Sequence, residues 1–153
     1  MEFPFEDNSV DIVICTQVLE HLVLGSPLVK ELSRILKPNG RAIISVPNIV
    51  SLKSRVKVLM GQLPVMAASG DCGAELGGTG YLVDGQWVGG HVVDFNLSRL
   101  RRYLLRSGLV IQKEWKIPTR VVINATTQFL ISDKLLPRNL QDFILVTAKP
   151  LPN

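Results

Sequence analysis

The chain is 153 residues long, 46% apolar and 20% charged, a balance that supports one globular domain with a real core and excludes a disordered polypeptide. Its formal net charge is +4, yet the basic residues are scattered. Lys53, Arg55 and Lys57 alternate with Leu52, Val56 and Val58, while Arg99, Arg101, Arg102 and Arg106 share another helical stretch, so both sets read as solvated helix faces and no nucleic-acid partner is expected.

The first segment, Phe3 to Ser9, is an aromatic and acidic turn, unlike the basic and apolar start of a secretory leader. Val10 to Cys15 follows as a continuous apolar run, which predicts a parallel strand covered on both faces. After Leu19, Glu20, His21 and Leu22 comes a helix, with Ser26 placed to cap it, Pro27 at its first position, and Leu28, Leu32, Ile35 and Leu36 at helical spacing until Pro38 and Gly40 end it. Ala42 to Val46 predicts a second strand, and two strands joined by a crossover helix imply a right-handed parallel unit.

A helix over Val50 to Leu59 is expected next, then a glycine-rich, weakly structured segment from Gly61 to Gly90. The cluster from Gly70 to Gly80 has no apolar strand before it and no helix after it, so it reads as a loop and not as a nucleotide-binding turn. Asn96 is placed to cap a helix carrying Leu97, Leu100, Leu104 and Leu105, which Ser107, Gly108 and Leu109 terminate. Leu109 to Trp115 and Phe143 to Ala148 complete the predicted strands, the latter closed by Lys149 and Pro150. No apolar run approaches the roughly 20 residues that span a bilayer, so no membrane partner is expected. Cys15 and Cys72 make no disulfide framework, which points to a reducing, cytoplasmic setting, and neither has a ligand-spaced neighbour, so no metal is expected.

Three linked stretches, Pro4 to Asp11, Glu20 to Leu22 and Leu36 to Gly40, resemble the PF-x-DNSFD-x-V, EHL and LKPGG pattern of class I S-adenosylmethionine-dependent methyltransferases of the type 11 group. Val10 stands in place of Phe and Asn39 in place of the first Gly; Asn tolerates a left-handed turn after a helix. Gly90 to Leu97 is similar to a further family stretch, GH-x-R-x-F-T-L, with Val93 for Arg and Asn96 for Thr. The resemblance implies an α/β, Rossmann-like class I methyltransferase fold, partial, with a mostly parallel sheet whose last strand is antiparallel and inserted, giving the order first, second, fourth, third. Residues 1–153 then form a single partial methyltransferase domain, with 49–90 a substrate-lid-like insertion to which Tyr81 and Trp87 contribute either an apolar lid or anchors to the core.

In the family, the glycine-rich strand-turn and the acidic residues that hold ribose and adenine precede the stretch matched here. The chain is therefore expected to be part of a longer polypeptide, or to be completed by a homodimer or partner chain covering the exposed edge strand Val10 to Cys15. The implied cofactor is S-adenosylmethionine, lying over the carboxyl ends of the parallel strands, with Cys15, Thr16 and Gln17 nearest its methionine and sulfonium part. Cys15 reads equally as a small core residue.

His21 is the candidate general base, since an imidazole accepts a proton near neutral pH, with Glu20 beside it; the alternative is a structural pair at a helix entry. Asn48 and His91 are candidate substrate-binding residues, against plain roles in a turn and at a solvated loop edge. The expected activity is methyl transfer to a small-molecule acceptor. The other reading is a non-catalytic, truncated methyltransferase-like domain acting as a partner or dimerisation module.

Overall fold

The computed structural model describes residues 2–64, 81–83, 86–88, 90–117, 119–122, 128–131 and 137–151, those at 81–83, 86–88, 119–122 and 128–131 by backbone alone. In chain order the elements are β1 (Val10–Thr16), a 3-10 turn (Leu19–His21), α1 (Ser26–Ile35), β2 (Leu36–Pro47), α2 (Leu52–Leu59), β3 (Tyr81–Val83), β4 (Gln86–Val88), α3 (Leu97–Arg106), β5 (Leu109–Trp115), β6 (Thr119–Val122), β7 (Gln128–Ile131), a second 3-10 turn (Arg138–Leu140) and β8 (Phe143–Pro150). Among them no helix is long and apolar enough to cross a membrane. Cys72 and the Gly70 to Gly80 cluster lie outside the described residues.

The main sheet has the order β1-β2-β8-β5. β1 and β2 pair in parallel, and β8 is antiparallel to both β2 and β5, so β5 runs the same way as β1 and β2. This is the expected order of first, second, fourth, third. Two antiparallel ribbons, β3 with β4 and β6 with β7, stand apart from it.

Alternation along the strands sends Ala42, Ile44 and Val46 of β2 to one face together with their register partners Ala148, Val146 and Ile144 of β8. All six are buried in a single cluster with Val29 and Leu32 of α1 and Leu100 and Leu104 of α3. Each fully buried Leu or Val contributes about 1.5–3 kcal/mol relative to exposure. The opposite face differs: Ile12 and Ile14 of β1 are 60% and 69% exposed. Ile14 pairs with Ile43 and Ile12 with Arg41, so this face is one surface shared by β1 and β2. The expectation that β1 is covered on both faces is therefore corrected. An apolar run signals two-sided burial only where a second layer exists, and among the described residues the core packs against one face alone.

Local boundaries also depart from expectation. Ser26 does not cap α1; it is the first helical residue, Gly25 precedes it, and Val29 N–H donates to the Gly25 carbonyl at 3.1 Å. Asn39 adopts no left-handed turn, because Leu36 begins an extended strand directly after the helix. Gly40 is required for room instead: a Cβ there would lie 2.9 Å from the Lys37 carbonyl oxygen and 3.0 Å from that of Val10. Lys149 and Pro150 continue β8 instead of closing it. A bulge between Ile111 and Lys113 explains the irregular alternation of β5. The Asn96 cap forms as expected, its Oδ1 accepting from Arg99 N–H at 2.8 Å.

The N-terminal turn is tied to α1 through Arg34. Its guanidinium donates to Glu31 at 2.6 and 2.9 Å, to the Phe5 carbonyl at 2.9 Å and to Asp7, while Phe3 N–H donates to Glu31 at 2.7 Å. The hydrogen bond from Arg34, and after it the one from Phe3, hold the Glu31 carboxyl near pKa 2, down from 4.5. A carboxylate with a depressed folded-state pKa stabilises the fold above its unfolded value and loses that contribution as pH falls. Melting temperature should hold above pH 4.5 and drop as pH falls toward 2, and the Glu31→Gln variant should show a smaller drop in the same scan.

Gly108 ends α3 with φ +94°, and a Cβ there would stand 2.9 Å from Ser33 Oγ, whose hydroxyl donates to the Gly108 carbonyl. The Gly108→Ala substitution should destabilise by about 1–2 kcal/mol from the left-handed conformation, with the Ser33 clash added, in a urea titration.

Candidate active site at the carboxyl ends of the parallel strands

β1 and β2 end side by side. Beyond Thr16 the chain leaves β1 through Gln17, a non-glycine residue at φ +54°. Its N–H donates to the Ser45 carbonyl at 3.0 Å, and its side-chain amide reaches Ser45 Oγ at 3.2 Å. Those bonds to β2 hold a backbone conformation that is costly for an L-residue, and such conformations cluster at functional sites. The turn throws Leu19 and Glu20 inward, both 1% exposed, and leaves the His21 side chain 43% exposed.

The segment before α3 closes over this turn. Val92 and Val93 both donate N–H to the Glu20 carbonyl, at 2.8 and 3.1 Å. His21 Nδ1 lies 3.0 Å from the Gly90 carbonyl oxygen. A carbonyl only accepts, so Nδ1 carries the proton and Nε2 is the open nitrogen. The His91 ring packs edge-on to the His21 ring at 5.1 Å, and His91 is itself buried. Glu20, His21 and His91 thus form one group from two stretches 70 residues apart.

Burial pushes the Glu20 carboxyl above the usual carboxylate range, against its own nearby peptide N–H and the His21 and His91 rings. Cys15, 6% exposed and part of the core cluster, has its thiol pushed up to about 11 by burial and then by Glu20. A thiol so shifted stays protonated and is a poor nucleophile, which fits the small-core-residue alternative. Thr16 and Gln17 are exposed beside it at the strand end.

Asn48 is 1% exposed, and its polar atoms are committed within the fold. Its Nδ2 donates to the carbonyls of Asn139 and Gln141 at 3.1 and 2.8 Å, its Oδ1 accepts from Val50 N–H, and its own N–H donates to the Asp142 carbonyl. It ties the end of β2 to the approach to β8. For Tyr81 and Trp87 the strands β3 and β4 are described, and their side chains lie outside the description.

Every residue of the group carries a signal in the sequence, yet their meeting does not. Glu20 and His21 are adjacent, while His91 arrives only through the return of the chain to α3. The roles of the Gly90 and Glu20 carbonyls leave no trace in side-chain identity at all.

Residues 1–44 match the family model described as a methyltransferase domain. A protein of Mycolicibacterium smegmatis named as a probable S-adenosylmethionine-dependent methyltransferase is 42% identical over 50 residues, which is 33% of this chain and 20% of the relative; the matched stretch thus spans about a fifth of that protein's length. Among solved structures, an S-adenosylmethionine-dependent methyltransferase from Mesorhizobium loti superposes with a TM-score of 0.53 at 14% identity, over 96% of this chain and 64% of that one. A complex of the Haloferax volcanii Trm112 methyltransferase activator with a methyltransferase superposes with a TM-score of 0.51 at 14% identity, over 97% of this chain and 57% of that one. The described fold is thus similar to that of solved S-adenosylmethionine-dependent methyltransferases, and residues 1–44 match the sequence model of a methyltransferase domain.

Proposed function

We propose that this chain carries out S-adenosylmethionine-dependent methyl transfer to a small-molecule acceptor as one part of a completed domain. The observation that carries this reading is the end of the parallel pair, where the family-matched stretch runs through β1, the strained Gln17 turn and the Glu20–His21 pair into β2. When bound, the cofactor supplies an electrophilic methyl on sulfonium. Thr16 and Gln17, exposed at the end of β1, border its methionine and sulfonium part, and Cys15 contributes packing beneath them. Methyl transfer depends chiefly on aligning and desolvating the nucleophile, and the buried floor made by Leu19, Glu20 and His91 serves that purpose. His21, with Nδ1 held by Gly90, presents Nε2 to take a proton from an acceptor hydroxyl or amine. His91 lines the acceptor side. Asn48, its amide spent on the Asn139–Asp142 segment, shapes the pocket without touching the acceptor.

Completion of the domain is the second element of the proposal. β1 is the sheet's outer strand among the described residues, and Ile12 and Ile14 leave an apolar strip beside its open edge. Unpaired amides next to exposed apolar side chains favour pairing with another strand. A longer polypeptide, a second copy or a partner chain would each cover it, and one structural neighbour is a methyltransferase in complex with the Trm112 activator. A non-catalytic dimerisation module would use the same edge.

Isothermal titration of S-adenosylmethionine and its demethylated product into this chain, with light scattering on the same sample, tests the reading. The expected result is a species heavier than the 16.9 kDa monomer that binds cofactor at micromolar concentration. The Ile14→Lys variant should shift the species toward monomer and weaken binding at least tenfold. Assembly without any binding at millimolar cofactor would favour the dimerisation module. A monomer that binds fully would remove the need for completion.

A further inference from the structure

Glu20 is 1% exposed, and neither of its carboxylate oxygens has a hydrogen-bond partner. A buried carboxylate without donors costs several kcal/mol unless a charge or a proton compensates it, so each such group in a folded protein calls for a physical reason. The surroundings supply one. Glu20, His21 and His91 each offer a donor atom, and the three atoms lie within 4.8 Å of one another. His21 Nε2 stands 3.9 Å from Glu20 Oε1. The other nitrogen of that ring donates to the Gly90 carbonyl, the arrangement that typically fixes the tautomer and direction of a metal-ligating histidine.

We propose that Glu20, His21 and His91 form a binding site for a first-row divalent cation of the zinc class, held by one carboxylate and two imidazoles. Two imidazoles and one carboxylate suit zinc and its neighbours better than magnesium or calcium, which prefer oxygen donors throughout. Three protein donors leave coordination open, as in catalytic sites and unlike closed structural ones. Metal bonds of about 2.0–2.2 Å place tetrahedral donors roughly 3.4 Å apart, so the group has to close slightly around the ion. His21, the most exposed of the three, has room to make that movement. The frame beneath is fixed beforehand, since the Glu20 carbonyl is clamped by the N–H groups of Val92 and Val93.

The inference is independent of the methyltransferase reading, because the cation is measured directly. It bears on that reading at one atom. A cation bound to Nε2 excludes His21 as the base, and the open coordination would then hold and acidify an acceptor oxygen.

The chain contains two histidines, both in this group, so imidazole-dependent binding has no other source. The experiment uses the whole chain, stripped with a chelator and dialysed, on a Cys72→Ser background that removes a competing thiol. Zn2+ is titrated calorimetrically, Co2+ is titrated with its visible absorption recorded, and bound metal is counted after desalting. The expected result is one ion per chain, a Co2+ spectrum of nitrogen and oxygen ligation, and a rise in melting temperature with Zn2+. Losing a direct ligand costs more than the 10- to 100-fold typical of an outer partner, so His21→Ala and His91→Ala should each weaken binding about a hundredfold or more. His21→Ala, at the most exposed of the three, leaves the buried cluster intact, and its cooperative metal-free melting serves as the folding control. Glu20→Gln should abolish binding while keeping the shape of the buried side chain. Absence of binding up to millimolar Zn2+ and Co2+, or equal affinity in the two histidine variants and the parent, overturns the proposal.

Discussion

Burial of one face of β2 and β8 is the constraint on which the rest of the structure depends. Ala42, Ile44 and Val46 stand opposite Ala148, Val146 and Ile144, and α1 and α3 contribute Val29, Leu32, Leu100 and Leu104 to the same cluster. Register in a sheet is set by which face is buried, since a slip of one residue would send each of these side chains to the other side. With that register fixed, β1 must stop at Thr16 beside Ser45, and the turn that follows must sit at the end of the sheet. The site is a consequence of where the core ends.

The site is then locked by backbone groups. The Glu20 carbonyl receives two N–H donors from the segment before α3, and the Gly90 carbonyl receives His21. Gly90, at φ +110°, bends the incoming chain so that His91 enters the interior while Val92 stays exposed. Two stretches far apart in sequence are thus held by bonds that do not depend on the chemistry their side chains perform. That separation of support from function lets the Glu20 carboxyl stay without a hydrogen-bond partner while the backbone around it remains tied down.

The open face of β1 stands in contrast to this order. Ile12 and Ile14 carry the same residue type as the buried Ile44, yet nothing described covers them. The difference is one of layers, with the described core packed on the Ile44 side alone. The edge strand and the uncovered apolar strip belong to the same element, β1, whose carboxyl end leads into the Gln17 turn.

The four strands of the main sheet and the three α-helices were legible from local pattern, while the short ribbons β3–β4 and β6–β7 were not. The apolar runs at Val10 to Cys15 and Ala42 to Val46, the Asn96 cap and the Gly108 stop each state their own conformation, because the forces involved act within a few residues. The sheet order came through family resemblance, since the pairing of β8 between β2 and β5 joins strands that no local pattern relates. Where local signals competed, sequence reading misplaced the result. Ser26 has the chemistry of a cap but begins the helix, and Asn39 has the tolerance for a left-handed turn but lies in a strand set by pairing with β1. By itself the sequence determined which residues are apolar, which can ligate or accept protons, and where the chain must turn. Only the tertiary structure decided that Glu20 would lose its water, that His91 would face His21 across 70 residues, and that Asn48 would spend its amide inside the fold. Each of those outcomes depends on which surface is excluded from solvent, and that is a property of the packed sheet that no single stretch of chain contains.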